Sequence, residues 1–402
     1  MTDALDRVAR GNLCAGCGAC AALAPDTVTM KMTPPGYLRP EKQGPLNLDE
    51  DAAIAAVCPG LGLTQTPEGR QDDLLWGPVV EARTGHATDP QLRHNGSSGG
   101  GLSAVLVHLL KSGAVDGVVL THADPDNPVG NRTILARTPA EVFAAAGSRY
   151  APSAPLADLE TYLNSDARYV FVGKPCDVAA LRAWSRRDAR VNARFVYMLS
   201  FFCAGVPSET GAREILTALE APPDQVTAFR YRGNGWPGFA TATLRDGTTR
   251  QMSYADSWGQ ILTRHLQMRC KICPDGTGGF ADLVFADAWE ADAKGYPVFT
   301  EGAGTSLILS RTQLGEDLAC AAQAAGALEM VPYDLKGLSR IQPGQTMRRS
   351  FVLARVLALR LAWRPAPRYR GFHLWHNARH AGLKTNLRNA AGMLRRVLRR
   401  SG

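Results

Sequence analysis

The residues best equipped to do chemistry are cysteines. Cys14, Cys17 and Cys20 step through Leu13-Cys-Ala-Gly-Cys-Gly-Ala-Cys20 at i, i+3 and i+6, and Cys58-Pro59 follows after thirty-seven intervening residues. Three evenly stepped thiolates on a loop loosened by Gly16 and Gly18 reach three corners of one small inorganic cube. A distant Cys followed by Pro supplies the fourth corner of such a ferredoxin-type 4Fe-4S site. The alternative is a four-cysteine zinc site, but zinc usually draws on two separated C-x-x-C knuckles. The spacing therefore predicts a 4Fe-4S cluster on Cys14, Cys17, Cys20 and Cys58.

A second set is more scattered. Cys270 and Cys273 form a C-x-x-C pair closed by Pro274, while Cys176 follows Pro175 and Cys203 begins Cys-Ala-Gly-Val-Pro. Taken singly, C-x-x-C could be a redox dithiol and each lone thiol an inert one. The elements around them narrow the choice. Tyr169 to Gly173 reads as a strand ending in a sharp loop with a helix from Val178 to Arg186, and Phe195 to Phe202 as a strand with a helix from Glu209 to Leu219. Strand-loop-helix units build a sheet whose ligand crevice lies at the carboxyl ends of its strands. Cys176 and Cys203 are expected there as near neighbours, and with Cys270 and Cys273 they make a second 4Fe-4S set, zinc or a bare dithiol being the alternatives. Cys320, in an Ala-rich helical stretch, is expected to be a small buried hydrophobe.

The remaining elements follow from periodicity. Arg93 to Gly101 is a glycine- and serine-rich loop before the apolar run Leu102 to Leu110, an arrangement that suits a phosphate at a helix N-terminus or is a plain turn. Asp116 to Thr121 reads as a strand and Pro139 to Ala146 as a helix. Thr227 to Arg232, Ala240 to Arg245 and Thr248 to Met252 read as an antiparallel region. Asp256 to Gln267 reads as a helix delivering Cys270 and Cys273, Thr305 to Ser310 as a strand and Gln313 to Ala325 as a helix. Residues 1 to 75 read as a strand-poor module with turns at Pro34-Pro-Gly36, joined by a linker from Thr64 to Asp73.

The 402 residues suit two or three lobes, and 45% apolar with 20% charged residues excludes a disordered chain. Met1 to Asn12 has no apolar run and does not read as a secretory signal. Phe351 to Trp363, broken by Arg355 and Arg360, is too short to cross a bilayer. A cytoplasmic protein is expected, and its nine cysteines then point to metal or redox chemistry rather than disulfides. The net charge of +8 hides an asymmetry: from Arg340 onward there are fifteen Lys and Arg and no acidic residue. Leu383 to Arg400 reads as a cationic amphipathic helix near Trp363, Phe372 and Trp375. It fits peripheral contact with an anionic membrane surface at the inner face, the competing readings being RNA binding, an acidic partner or simple docking on the acidic body. No aromatic-and-basic motif in the body points to nucleic acid.

Several segments together resemble one family. Asn95-Gly-Ser-Ser-Gly-Gly, Gly147-Ser-Arg-Tyr150, Gly173-Lys-Pro-Cys-Asp-Val-Ala-Ala-Leu-Arg182, Cys203-Ala-Gly-Val-Pro and Arg230-Tyr-Arg-Gly-Asn-Gly-Trp236 are followed by Cys270-Lys-Ile-Cys-Pro-Asp, Ala281-Asp282 and Asp287-Ala-Trp289. In type and order they resemble the coenzyme F420 hydrogenase/dehydrogenase beta subunit family, which includes hydroxymethyl chlorophyll reductase and ferredoxin-dependent divinyl reductases. Phe285-Ala-Asp-Ala-Trp departs slightly from the usual Gly-Asp-Ala-Trp, and Cys20-Ala-Ala-Leu-Ala-Pro lacks the aromatic-rich stretch of the chlorophyll reductases.

The resemblance implies FAD, 4Fe-4S clusters and a reductase or electron-transfer role. With all eight cysteines present, two clusters are expected. The expected fold is α/β, a mixed-sheet flavin-binding core with a small N-terminal ferredoxin-like iron-sulfur module and a basic helical C-terminal tail. The corresponding divisions are 1–75, 76–335 for FAD and the second cluster, and 336–402. By resemblance, Asn95, Ser97, Ser98, Gly99 and Gly100, with Ser148, Arg149 and Tyr150, hold the flavin and its pyrophosphate. Lys174 is expected as a catalytic cation beside the flavin, a solvent-exposed lysine being its bland alternative. His94 and His122 are weaker candidates as proton donors. Electrons are expected to pass between a ferredoxin-like partner, both clusters and FAD to a small organic substrate, in either direction. The alternative is a beta-type electron-transfer subunit of a larger redox complex, including oxidoreduction of the deazaflavin coenzyme F420. Assembly into an oligomer fits either case.

Overall fold

The computed structural model describes residues 2–289, 298 and 300–398. Its centre is an eight-stranded sheet in the order Leu328–Pro332, Glu81–Ala87, Ser306–Ser310, Leu283–Asp287, Phe195–Phe201, Tyr169–Gly173, Gly117–Asp124 and Asn127–Ala136. The four strands from Leu283–Asp287 to Gly117–Asp124 run parallel, and those outside them join antiparallel. Tyr169-Val-Phe-Val-Gly has no exposed residue, because helices cover both faces of a parallel sheet.

The side chains divide by the strand's period of two. Phe171, Met198, Val284 and Leu307 pack with Leu181 and Trp184 of the helix Pro175–Ser185 on one face. Val170, Leu199, Leu283 and Ile308 pack with Val105 and Leu109 of the helix Gly101–Lys111 on the other. Each fully buried aliphatic side chain contributes about 1.5–3 kcal/mol. The α/β expectation and its mixed sheet are met. The antiparallel region is also present, as the strands Val226–Arg230, Phe239–Leu244 and Thr249–Ser253.

Several local expectations need correction. The first 75 residues are not strand-poor: Pro34-Pro-Gly36 closes a hairpin of Val28–Thr33 with Tyr37–Lys42, anchored by buried Val28 and Tyr37. The segment read as a linker is stitched down. Gly62–Thr64 pairs in parallel with Arg368–Arg370, and Gln71–Asp73 pairs with Gly77–Val79. Asp256 to Gln267 is a π-helix over Ala255–Ile261 followed by a 3₁₀ turn over Leu262–His265. Cys320 is exposed beside Glu316, 3.3 Å from its carboxylate, because the helix Gln313–Ala324 turns Leu318, Ala319 and Ala322 inward instead.

The basic C-terminal segment is helical, over Pro343–Leu361, Leu374–Ala381 and Leu383–Leu398. The first of these packs into the body: Val352, Val356 and Leu359 share a core with Met268 and Ile272 on one side and Met393 and Val397 on the other. That explains its apolar circumference. The amphipathic set expected on the last helix is divided, Met393 and Val397 facing inward while Leu387 and Leu398 are exposed. Arg399 and Arg400, part of that expectation, lie outside the described residues. Among the described residues no helix is long and apolar enough to cross a membrane.

Candidate functional site

Both cysteine sets are gathered by the elements that carry them. Asn47 and Glu50 form a capping box at the start of the helix Leu48–Val57, whose carboxyl end presents Cys58. Gly18 holds φ at 88°, and a Cβ there would stand 2.7 Å from the backbone nitrogen of Ala157. The bend lets Cys14, Cys17, Cys20 and Cys58 wall one cavity. Cys176 opens the helix after the strand Tyr169–Gly173, and Cys203 follows the parallel neighbour Phe195–Phe201, as the sheet-edge argument expected. The short helix Met268–Lys271 brings Cys270 and then Cys273 to them, and the four thiols wall a second cavity.

The thiols are furnished with backbone donors. Gly16 N–H donates to Cys14 Sγ at 3.3 Å, Gly205 N–H to Cys203 Sγ at 3.4 Å and Val206 N–H to Cys270 Sγ at 3.3 Å. Burial pushes Cys58 up to about 11 and Cys203 to about 12, and the neighbouring sulfurs of Cys14 and Cys270 add to it. Cys17 and Cys176 stand well above the usual range for the same first cause. A strongly positive occupant offsets that cost, since the thiolate is the ligand form. Among the described residues no three His, Cys, Asp or Glu side chains converge as ligands of a single ion. Four thiols around a cavity, with N–H groups aimed at sulfur, fit an iron-sulfur cluster.

The cavities share walls. Ala15 belongs to both thiol cavities, and Gln267 Nε2 donates to the Ala15 carbonyl at 3.3 Å and to Cys270 Sγ at 3.5 Å. Cys203, Gly205, Val206 and Gln345 wall both the second thiol cavity and a larger one of about 290 Å³ at the carboxyl ends of the strands.

In the larger cavity, Ser97, Ser98 and Gly100 line one side where the helix Gly101–Lys111 begins. Ser97 Oγ is buried without a hydrogen-bond partner, and Ser98 Oγ donates to Asp287 Oδ1 at 2.9 Å. Such a cradle fits a phosphate. Gly99 turns instead against the backbone of Gly304, and Asn95 lies outside the lining, its amide donating to Phe143 O at 3.0 Å and accepting from Arg230 at 3.1 Å. Ser148, Arg149 and Tyr150 line the cavity. The Arg149 guanidinium is used structurally, donating to Asn131 Oδ1 and to the carbonyls of Phe229, Pro128 and Gly130. Tyr150 packs on Trp258, ring centroids 4.6 Å apart, so the aromatic wall suits a flavin ring.

Lys174 is buried at the wall of this cavity and is not a solvent-exposed side chain. Its ammonium donates to Ser153 Oγ at 2.9 Å and pairs with Asp177 at 2.8 Å. Burial alone would lower its pKa, but Asp177 and Cys176 outweigh that and hold the charge on. His94 and His122 do not line the cavity; His94 is exposed, and His122 Nδ1 lies 2.9 Å from the carbonyl oxygen of Ala123.

The sequence reading missed a clamp. Arg232, fully buried, makes a two-pronged pair with Asp287 at 2.6 and 2.8 Å beneath the rings of Tyr254 and Trp289. Trp236 Nε1 donates to the same carboxylate at 2.8 Å and stacks on Trp289. Asp287 thereby ties the glycine-serine loop, the end of a parallel strand and the 231–238 loop together. Both partners sat in quoted motifs, yet nothing in their spacing announces the pair. Gln342 and Gln345 were also missed, since the segment carrying them was read as tail.

The chain matches the model of the coenzyme F420 hydrogenase/dehydrogenase beta subunit N-terminus over residues 82–160 and that of its C-terminus over residues 166–336. The chain belongs to this family. Among its relatives, rice 7-hydroxymethyl chlorophyll a reductase is 28% identical over 46% of this chain and 38% of its own length. The beta subunit of F420-dependent formate dehydrogenase 1 from Methanococcus maripaludis is 26% identical over 63% of this chain and 62% of its own. The coenzyme F420 hydrogenase subunit beta of Methanococcus voltae is 25% identical over 67% and 88%. A chain of the F420-reducing [NiFe] hydrogenase complex from Methanosarcina barkeri shares the fold of this family member, with a TM-score of 0.56 at 20% identity, over 71% of this chain and 94% of its own. Redox subunits and reductases are thus the company this beta-subunit-family chain keeps.

The cradle gives a direct prediction. Gly100 caps its helix at φ 70°, and a Cβ there would run into the Leu92 carbonyl. Gly100→Ala is expected to cost about 1–3 kcal/mol, read from denaturant unfolding, and, on the flavin reading proposed below, to leave purified protein depleted in flavin, read from the absorbance of released nucleotide.

Proposed function

We propose that this chain is an iron-sulfur flavoprotein oxidoreductase exchanging electrons between a ferredoxin-like partner and a small organic substrate. Cys14, Cys17, Cys20 and Cys58 would hold one 4Fe-4S cluster, and Cys176, Cys203, Cys270 and Cys273 another. Ser97, Ser98, Gly100, Ser148 and Tyr150 would hold FAD in the larger cavity, with Lys174 as the cation at its wall. Bound there, the clusters supply single-electron exchange and the flavin couples it to two-electron chemistry.

The observation that carries this reading is the shared wall. Three cavities lie in sequence, two lined by four thiols each and the third at a sheet's carboxyl edge, with Ala15 between the first two and Cys203 to Val206 between the last two. Lys174 favours negative charge developing in the larger cavity, because its own partner Asp177 holds it in place from behind. Gln345 Nε2 fixes the Cys203 carbonyl at 3.1 Å and so steadies the partition between two of the cavities.

A second reading, a beta-type subunit passing electrons within a larger complex that acts on coenzyme F420, draws on coverage: this chain spans 88% of the Methanococcus voltae subunit but 38% of the rice reductase. Anaerobic purification with iron, sulfide and flavin analysis tests both. About eight irons and one FAD per chain are expected; about four irons would remove the second cluster, and zinc would reject the scheme. Reduction of F420 by the isolated chain would select the second reading.

A further inference from the structure

Among the described residues four arginines are essentially buried, and one stands in an unusual position. Arg232 is neutralised by Asp287, and Arg311 donates to the carbonyls of Trp76, Pro78 and Thr277 at 2.8–3.0 Å. Arg349 donates to Thr277 Oγ1 at 3.1 Å and feels Asp275. Arg269, 2% exposed, has among the described residues a single side-chain hydrogen bond, from Nη2 to the Pro59 carbonyl at 2.8 Å. Its Nε and Nη1 are buried without partners, and among the described residues no carboxylate forms an ion pair with it. The ring of Tyr369 lies 5.7 Å from the guanidinium and offers part of the missing negative potential. A buried charge so poorly met needs a counter-charge nearby.

The place of that charge is informative. Arg269 directly precedes Cys270 and walls the second thiol cavity, while its side chain reaches back to the carbonyl that follows Cys58 of the first set. Pro59, whose carbonyl it holds, lines the first thiol cavity. A four-iron cube with four thiolates is net negative and becomes more so on reduction, so a fixed cation beside it favours the reduced form.

We propose that Arg269 is the shared counter-ion of the two clusters, a single guanidinium between both thiol cavities whose charge raises the reduction potential of each. The inference rests on the two-cluster reading above. In each couple the cluster takes one electron from an external reductant such as dithionite, and no bond to the protein forms or breaks. Arg269 is thereby a tuning residue that shifts two neighbouring sites in the same direction.

The test uses the full chain purified without oxygen, with iron and sulfide counted, then titrated with dithionite while electron paramagnetic resonance follows each cluster. Arg269→Gln keeps a polar side chain and removes the charge; Arg269→Lys keeps the charge and loses the guanidinium. Arg269→Gln is expected to lower both midpoint potentials by about 59 mV or more, a tenfold change in the one-electron ratio, while Arg269→Lys stays within that margin of wild type. A glutamine variant with either cluster unmoved overturns the proposal, as does a lysine variant that falls as far as the glutamine one. Should the glutamine variant come out without iron, the lysine variant decides. Full iron with wild-type potentials upholds the charge, and missing iron or shifted potentials assigns Arg269 a structural role instead. Wild-type protein without iron would fail the cluster reading itself, before any variant is made.

Discussion

Cys203→Ala is expected to halve the iron, from about eight to about four per chain, and to cut electron transfer between a ferredoxin-type donor and the flavin by more than about 100-fold. The size follows from where this residue stands. Cys203 is the thiol common to the second cysteine cavity and the larger cavity, so its loss breaks the chain of sites at the junction with the cavity proposed to hold the flavin. Its backbone remains held, since its N–H donates to Gly276 O at 2.8 Å and its carbonyl accepts from Gln345. The flavin content should therefore stay near wild type. A variant that keeps all its iron, or that keeps rapid transfer, would remove Cys203 from the relay. The counterpart Cys320→Ala, on an exposed helix face, is expected to change neither quantity.

Asp287→Ala should be the most damaging change outside the cysteines. Removing the carboxylate strands the buried Arg232 guanidinium, and breaking one partner of a buried pair costs about 3–5 kcal/mol. It also frees Ser98 Oγ and Trp236 Nε1, both of which donate to Asp287 Oδ1. The expected result is a lower urea midpoint together with loss of bound flavin. Asp287→Asn keeps the shape and one acceptor oxygen but not the charge, and should fall between the two. With Asp287 gone, the carboxylate that holds the Arg232 charge up is lost and burial, which lowers its pKa, remains, so any relief of the damage is expected toward higher pH. Unfolding midpoints equal to wild type for Asp287→Ala would refute the clamp.

What the sequence disclosed and what it concealed divide along the range of the contacts. Cys14, Cys17 and Cys20 announce themselves because three of four members lie within one loop, and Cys176 and Cys203 could be paired because each ends a strand of recognisable βα form. Strand register then did the rest: two parallel strands side by side put their following residues together. Arg232 and Asp287 are fifty-five residues apart, one on the loop after the strand Val226–Arg230 and the other at the end of the strand Leu283–Asp287, and no period links them. The roles of Asn95 and Arg149 were hidden for a related reason. Both occur in motifs that border the cavity, but their polar atoms are spent on Phe143, Arg230, Asn131 and backbone carbonyls. A side chain's direction depends on neighbours brought in from elsewhere, which spacing does not encode. The C-terminal segment misled for a different reason, since its run of arginines reads as a solvated face. Arg349 and Arg355 instead turn inward, the latter donating to the Lys271 carbonyl at 2.8 Å and to Asn389.

The helix Pro343–Leu361 supplies Gln345 and Arg349 to the wall of the second thiol cavity, and it follows every one of the eight cysteines in the chain. During synthesis at typical rates, Cys273 precedes Pro343 by about 4–14 s. The eight cysteines therefore leave the ribosome before the helix that closes this side of the pocket. On the two-cluster reading proposed above, iron and sulfide would have a natural time to enter before this last-made helix completes the wall.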